Sequence, residues 1–495
     1  MDDIAPLVHS IGKPGMSRRR FIAGMATAAS ALAGASALAL SEGTARAAGN
    51  RLPVPELLVP TQQGGVTVFA LRAARATWQL LPDVTSGSAG FNGPYLGPTL
   101  RVRNGQRVRF EVTNGLDEDL AVHWHGAHVP PQDDGGVHAA FGPGQVWKPE
   151  FTVKQQAATL WYHPHTMGIT ARQIAQGLAG MLIVQDDSAA SRALPGTYGT
   201  DDVPVILQSV AVGPDGGIRY ESGSFSEPGM AFPLVVNGVA VDDEPLTFTA
   251  STGRVRLRLL NASLSETLTV RRMDGGKLTQ VATESAFLNR PTQVAAVRMP
   301  AGARAEVVVD VTRETVLETM VETGVGRRRD SRQSFLTLLP GSGGGGRRTA
   351  LPARLNTIHR YDVSHLRPRV IALTENGGML GINGVSGTTM KAMDAHEIVV
   401  REGDLELWEV VNRSPRNHSF HVHDVPFQVI SVNGRPPTGV DLGWRDTIAV
   451  HRGARVRIAM RFTDYASDKY TYMLHCHMAE HEDLGMMTSL KVRPR

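Results

Sequence analysis

The chain has 495 residues, of which 42% are hydrophobic and 20% charged, with a net charge of +4. That length calls for about three domains, and so small a charge argues against a nucleic-acid partner, leaving the basic runs Arg327–Arg329 and Arg347–Arg348 as solvated loops. A single cysteine excludes a disulfide-stapled fold.

Residues 1–47 read as an export signal. Arg18 and Arg19 precede Phe21–Ile22 and an Ala/Gly-rich stretch, and "TARAAG" places Ala45 and Ala47 at the small-residue positions of a cleavage site. The pattern is of the twin-arginine kind, so the twin-arginine export machinery is the first partner expected and the periplasm or extracellular space the destination. The stretch is too rich in Ala and Gly for a stable membrane anchor, and no later segment is long and apolar enough to span a bilayer.

One unit then recurs three times. "NGQRVRFEVTN" ends at Asn114, "STGRVRLRLLN" at Asn261 and "EGDLELWEVVN" at Asn412, spacings of 147 and 151 residues. Each copy has a glycine turn, alternating apolar and charged residues, and a closing Asn. Period-2 alternation, 52 glycines and 29 prolines predict an all-β chain of consecutive β-sandwiches. The expected domains are 48–190, 200–340 and 353–495, joined by the turn-rich stretches 186–202 and 339–352.

The histidines sort by unit. His-x-His occurs four times, at His123/His125, His163/His165, His421/His423 and His475/His477. Chance predicts roughly 0.6 such pairs. None of the 17 histidines lies between 166 and 358, so the clamps belong to the first and third units and the second acts as a spacer. Residues i and i+2 share one face of a strand, which makes each pair a two-pronged imidazole clamp for metal. The same parity turns Cys476 away from His475 and His477, and His418 away from His421 and His423. Cys476 and His418 can therefore meet at a separate metal, with His481 and Met486 within reach. Two His, one Cys and a weak thioether form a copper electron-transfer set; zinc prefers more thiolates and has no use for the thioether. Eight clamp imidazoles suffice for three further coppers, and such a group can hold the four electrons that take O2 to two waters.

"HWHG", "WYHPHTMG", "HSFHVH" and "HCHMAEHEDLGMM" resemble the four copper signatures of the three-domain multicopper oxidases, a family that includes laccases, bilirubin oxidases and a bacterial cuprous oxidase. The resemblance implies three cupredoxin-like, Greek-key domains and four coppers. It implies a type 1 copper on His418, Cys476 and His481 with Met486 axial, and a type 2 copper on His123 and His421. The type 3 pair takes His125, His163, His165, His423, His475 and His477. Asp134 and Glu482 match carboxylates that serve the trinuclear cluster in the family, where O2 reduction consumes protons. Trp124 and Trp161 are expected to pack around the ligand strands.

The partners implied are O2 and a small-molecule or metal-ion electron donor, and the chain is expected to be a monomer. The family's cuprous oxidase carries a Met-rich segment before the third domain and an Asp four residues before the first type 1 His. This chain has no Met from Leu339 to Ser364 and has Ser414 at the second position. Those departures favour a phenolic or organic donor, with cuprous oxidation in copper tolerance as the alternative. A copper nitrite reductase has no type 3 pair to use four clamps. A scaffold like the family's divisome relatives, which lost their copper ligands, does not match a complete ligand set.

Overall fold

Each repeat begins where a glycine turns the chain in the left-handed region: Gly105 (φ 81°), Gly253 (φ 71°) and Gly403 (φ 81°). Of the strands that follow, Arg107–Gly115 buries every second residue, whereas Arg254–Asn261 and Leu405–Asn412 are buried almost throughout, polar residues included. Phe110, Leu257 and Trp408 are fully buried, as are Val112, Leu259 and Val410, each burial worth roughly 1.5–3 kcal/mol. The closing Asn explains itself. The side-chain amide of Asn114 donates to the carbonyls of Glu118 and Phe141 and its Oδ1 accepts from Leu116 N–H. Asn261 repeats this with Glu266, Met299 and Ser263, and Asn412 with Arg416, Val450 and Ser414. A buried Asn that satisfies three backbone groups closes each strand end without leaving an orphan.

The computed structural model describes residues 50–81, 84–220, 228–323, 330–341 and 350–495. The twin-arginine segment and the basic runs at 327–329 and 347–348 lie outside these residues. Each unit consists of two packed sheets, and each repeat strand runs parallel to an earlier strand and antiparallel to later ones. This is the crossed connectivity of a Greek-key, cupredoxin-like sandwich. Three apolar clusters fill the sandwiches, dominated by Val, Leu, Ile and Phe. Leu52, at the start of the described chain, packs in the second unit's core and donates its N–H to Thr247 O at 2.8 Å.

Five strands matter for the site: β1 (Val122–His125), β2 (Ala158–Pro164), β3 (His418–Val422), β4 (Tyr472–Cys476) and β5 (Met487–Arg493). Four short helices accompany them: α1 (Thr170–Ala175), α2 (Ala189–Ala193), α3 (Met390–Ala395) and α4 (Ala479–Asp483). α2 falls within the stretch expected as a linker. Its N-cap Ser188 accepts from Ser191 N–H, and Ala190 and Leu194 pack against Val281 and Phe287 of the second unit, so this connection is docked. Among the described residues no helix is long and apolar enough to cross a membrane.

Candidate metal centre

The clamps sit on paired strands. β1 pairs β2 with His123 directly opposite His163, and β3 pairs β4 with His421 directly opposite His475. Opposite residues project on one face, so each unit presents a patch of imidazoles, and the two patches face each other. His123 stacks on His423 and His125 on His421, each with ring centroids 3.8 Å apart. The interface is pinned beside the site, where both carboxylate oxygens of Asp483 on α4 accept from the first N–H groups of α1 at 2.9 Å.

All eight clamp histidines are buried. Their ligand atoms converge in threes within 4.8 Å: His125, His163 and His477; His165, His423 and His475; and His123, His421 and His423. Outer partners orient the rings. The Nδ1 of His123, His163 and His421 faces the carbonyls of Asp134, Pro164 and Asp446 at 2.8–2.9 Å, and that of His423 faces Asp134 Oδ2 at 2.7 Å. Each of these four rings is left with an unpartnered Nε2. His125 is reversed: its Nε2 faces Asp446 Oδ1 at 3.1 Å and its Nδ1 points to His477 Nε2 at 3.0 Å. Rings anchored through one nitrogen, with the other buried and bare, suit a cation held among them, as outer partners do at metal sites. Burial, reinforced by mutual repulsion, holds His123, His163, His421 and His423 well below the ordinary imidazole value, so they are neutral and able to ligate.

The second cluster lies on the other side of β4. Cys476 Sγ stands 3.4 Å from His418 Nδ1 and 3.7 Å from His481 Nδ1, and those nitrogens are 3.1 Å apart. Met486 is fully buried in the same apolar cluster, and its carbonyl accepts from Cys476 N–H at 2.9 Å. Burial pushes the thiol up to about 12, so without a cation it is no nucleophile. His475 and His477, its neighbours, face the histidine cluster. The structure thus gathers His418, Cys476 and His481 into one set and the eight clamp histidines into another. Asp134 and Glu482 join them: Glu482 Oε1 and Oε2 lie 3.2 and 3.0 Å from His165 Nδ1 and His475 Nδ1.

Two residues escaped the sequence reading. Asp446, in the "GWRDT" segment, holds His125, and Arg304 of the second unit binds it with two bonds of 2.7 and 2.6 Å. Both are buried. The second unit is therefore more than a spacer. A lone Arg in a strand gives no sequence signal; Asp446 stands in a segment with no histidine to mark it.

A groove of about 770 Å³ runs between the second and third units, lined by Arg298, Pro300, Arg435, Ala449 and His451. Arg298, Pro300, Ala449 and His451 also border a small inner pocket that ends on His418.

Comparison with known proteins agrees with this geometry. Residues 72–189 and 356–495 match two multicopper oxidase family models. A multicopper oxidase of Staphylococcus aureus is 30% identical over 450 residues, covering 90% of this chain and 92% of that protein. The chain belongs to the multicopper oxidase family. It is accordingly an oxidase that uses O2 and an electron donor, with copper as cofactor. Among solved structures, a laccase-like multicopper oxidase CueO of Ochrobactrum, described as active towards lignin model compounds and lignosulfonate, is 31% identical with a TM-score of 0.79, covering 89% of this chain and all of that one. McoA of Aquifex aeolicus is 25% identical with a TM-score of 0.78, covering 90% of this multicopper oxidase and 99% of that chain. The cell division protein FtsP of Escherichia coli is 33% identical over 97% of this chain and 99% of its own length.

Proposed function

We propose that the chain is an exported, monomeric laccase-like oxidase that takes electrons singly from a phenolic or similar organic donor at a type 1 copper and reduces O2 to water at a trinuclear cluster. Four coppers are assigned. His418, Cys476 and His481, together with Met486, would hold type 1, and His123 and His421 would hold type 2. His125, His163 and His477 would hold one type 3 ion, and His165, His423 and His475 the other. Copper in these ligand sets supplies one-electron redox chemistry.

The chain's own residues supply the rest. The groove seats the donor beside His418. Cys476, with its peptide neighbours His475 and His477, is a covalent route from one ligand set to the other. The two carboxylates divide the proton chemistry. Burial, with Asp424 and Asp133 nearby, keeps Asp134 well above the usual carboxylate range, and its unpartnered Oδ1 is the atom that holds the proton. Burial alone raises Glu482 too, but the His165 and His475 imidazoles outweigh it and bring it down to about 2, so it stays an anion that orients both rings.

The observation that carries this reading is the opposed projection of Cys476 and its flanking histidines, each toward its own ligand set. Ser414, the groove and the absence of methionine from 339–364 favour an organic donor over a metal ion. The test is a copper count with O2 uptake on a dimethoxyphenol and on Cu(I). Four coppers and preferred phenol turnover are expected; strong preference for Cu(I) reverses the donor assignment. A copper-free protein from copper-replete cells favours a non-enzymatic role, with cell division, the process named for the FtsP relatives, as the candidate.

A further inference from the structure

One apolar cluster holds no leucine, isoleucine or phenylalanine. Val137 packs with Met393, Met473 and Met487, each at most 1% exposed, and the partly buried Met167 and Met390 lie against them. A core specified by packing alone uses side chains with defined rotamers; methionine has three rotatable bonds and a polarizable sulfur. Five thioethers gathered in one place call for a chemical reason.

Strand register supplies it. β4 pairs β5 with Met473 opposite Ser489 and His475 opposite Met487. Residues two apart share a face, and so do direct partners. Met473, His475, Met487 and Ser489 therefore stand on one face, and His475 belongs to the histidine cluster. The thioethers continue the imidazole row outward. At the outer end Ser489 Oγ donates to Asp394 Oδ1 at 2.9 Å, and the same oxygen lies 3.2 Å from His138 Nε2. The Asp394 side chain is 50% exposed and sits on α3, which also carries Met390 and Met393. At the inner end Gly136 lets a sulfur approach: a Cβ there would stand 3.0 Å from Met473 Sδ and 3.7 Å from Asp134 Oδ2. Asp134 is the carboxylate that holds His423.

We propose that Met393, Met473 and Met487 form a cuprous-ion site, separate from the two ligand sets above, through which Cu(I) passes from Asp394 and His138 at the surface to the histidine cluster. Thioethers select the soft monovalent ion, whereas imidazole also takes Cu(II) and zinc. The ion remains Cu(I) along the row, exchanging sulfur ligands for the ring nitrogen of His475, so no electron is needed. The loading role rests on the trinuclear reading above; binding at the methionines does not.

Ag(I) has the same charge and softness without the redox chemistry and is the probe. Titrated into the copper-loaded, full-length protein, one equivalent is expected to bind and to shift the ε-methyl NMR signals of Met393, Met473 and Met487. The volume-conserving single variant Met393→Leu should weaken it roughly tenfold. Met393→Leu/Met473→Leu/Met487→Leu should abolish it while the circular dichroism spectrum is kept. The triple variant, produced without copper, should also fill its histidine cluster from a Cu(I) chelate more slowly. No Ag(I) uptake beyond resident copper, or undiminished uptake by the triple variant, overturns the site; an unchanged filling rate overturns the loading role. Ag(I) bound at the methionines of a chain without oxidase activity overturns the oxidase reading alone.

Discussion

Ser414 Oγ lies 2.5 Å from His418 Nε2 and 3.0 Å from Asn412 Oδ1. The hydroxyl donates to the Asn412 carbonyl oxygen and accepts from the Nε2–H of His418. His418 Nδ1 is thereby left as a lone pair directed at Cys476 and His481. The residue that closes the third repeat thus also sets a ligand's tautomer. Ser414→Ala should cost about 1 kcal/mol of stability and lower phenol turnover roughly tenfold with copper content unchanged. Ser414→Thr keeps the hydroxyl and should retain most of the activity. Thermal melts, copper analysis and steady-state rates check both.

The Arg304–Asp446 pair joins the second unit to a ligand of the first through a residue of the third. Breaking a buried pair from one side leaves an uncompensated charge and costs about 3–5 kcal/mol. Arg304→Met should lower the melting temperature accordingly and reduce occupancy of the histidine cluster, read by copper analysis and electron paramagnetic resonance. Arg304→Met combined with Asp446→Asn removes the stranded anion and should recover part of the stability.

Cys476→Ser removes the only thiolate. The intense blue absorption and donor oxidation should vanish while the eight histidines still load three coppers. Persistence of the blue absorption in this variant rules out the type 1 assignment.

Acid should unfold the copper-free chain steeply. Burial depresses the imidazoles in the folded state, to about 4 for His165 and His418 and about 3 for His477 and His481, from an unfolded value of 6.5. Below 6.5 the unfolded chain binds protons that the folded chain refuses. Stability is therefore intact above 6.5 and lost as pH falls, by about 1.4 kcal/mol per pH unit for each such group until its folded value is reached. Glu482, depressed in the fold, acts in the same direction at lower pH. Denaturant midpoints between pH 7 and 5 measure the slope, and bound copper should shift the loss to lower pH because metal and proton compete for the same nitrogens.

The sequence was most legible where period-2 geometry and ligand chemistry coincide. His123, His125, His421 and His423 could be placed on shared faces, and Cys476 on the opposite one, because side-chain alternation along a strand is rigid. The repeat was legible for the same reason, and the buried role of Asn114, Asn261 and Asn412 shows why that residue recurs. Arg304, Asp446 and the methionine cluster were not, because their meaning depends on contacts between units. Met167, Met393 and Met487 are far apart in the chain, and nothing in their local pattern distinguishes a shared wall from three separate core residues.

The close packing of opposed ligands on β3 and β4 restricts how this gene can change. Deleting one codon from β4 would exchange the surroundings of thiol and imidazole and disable both ligand sets at once, whereas loss or gain of two codons preserves every direction and only displaces the row. Length variation in these strands should therefore be confined to even steps, and the loops beyond them should absorb the odd ones.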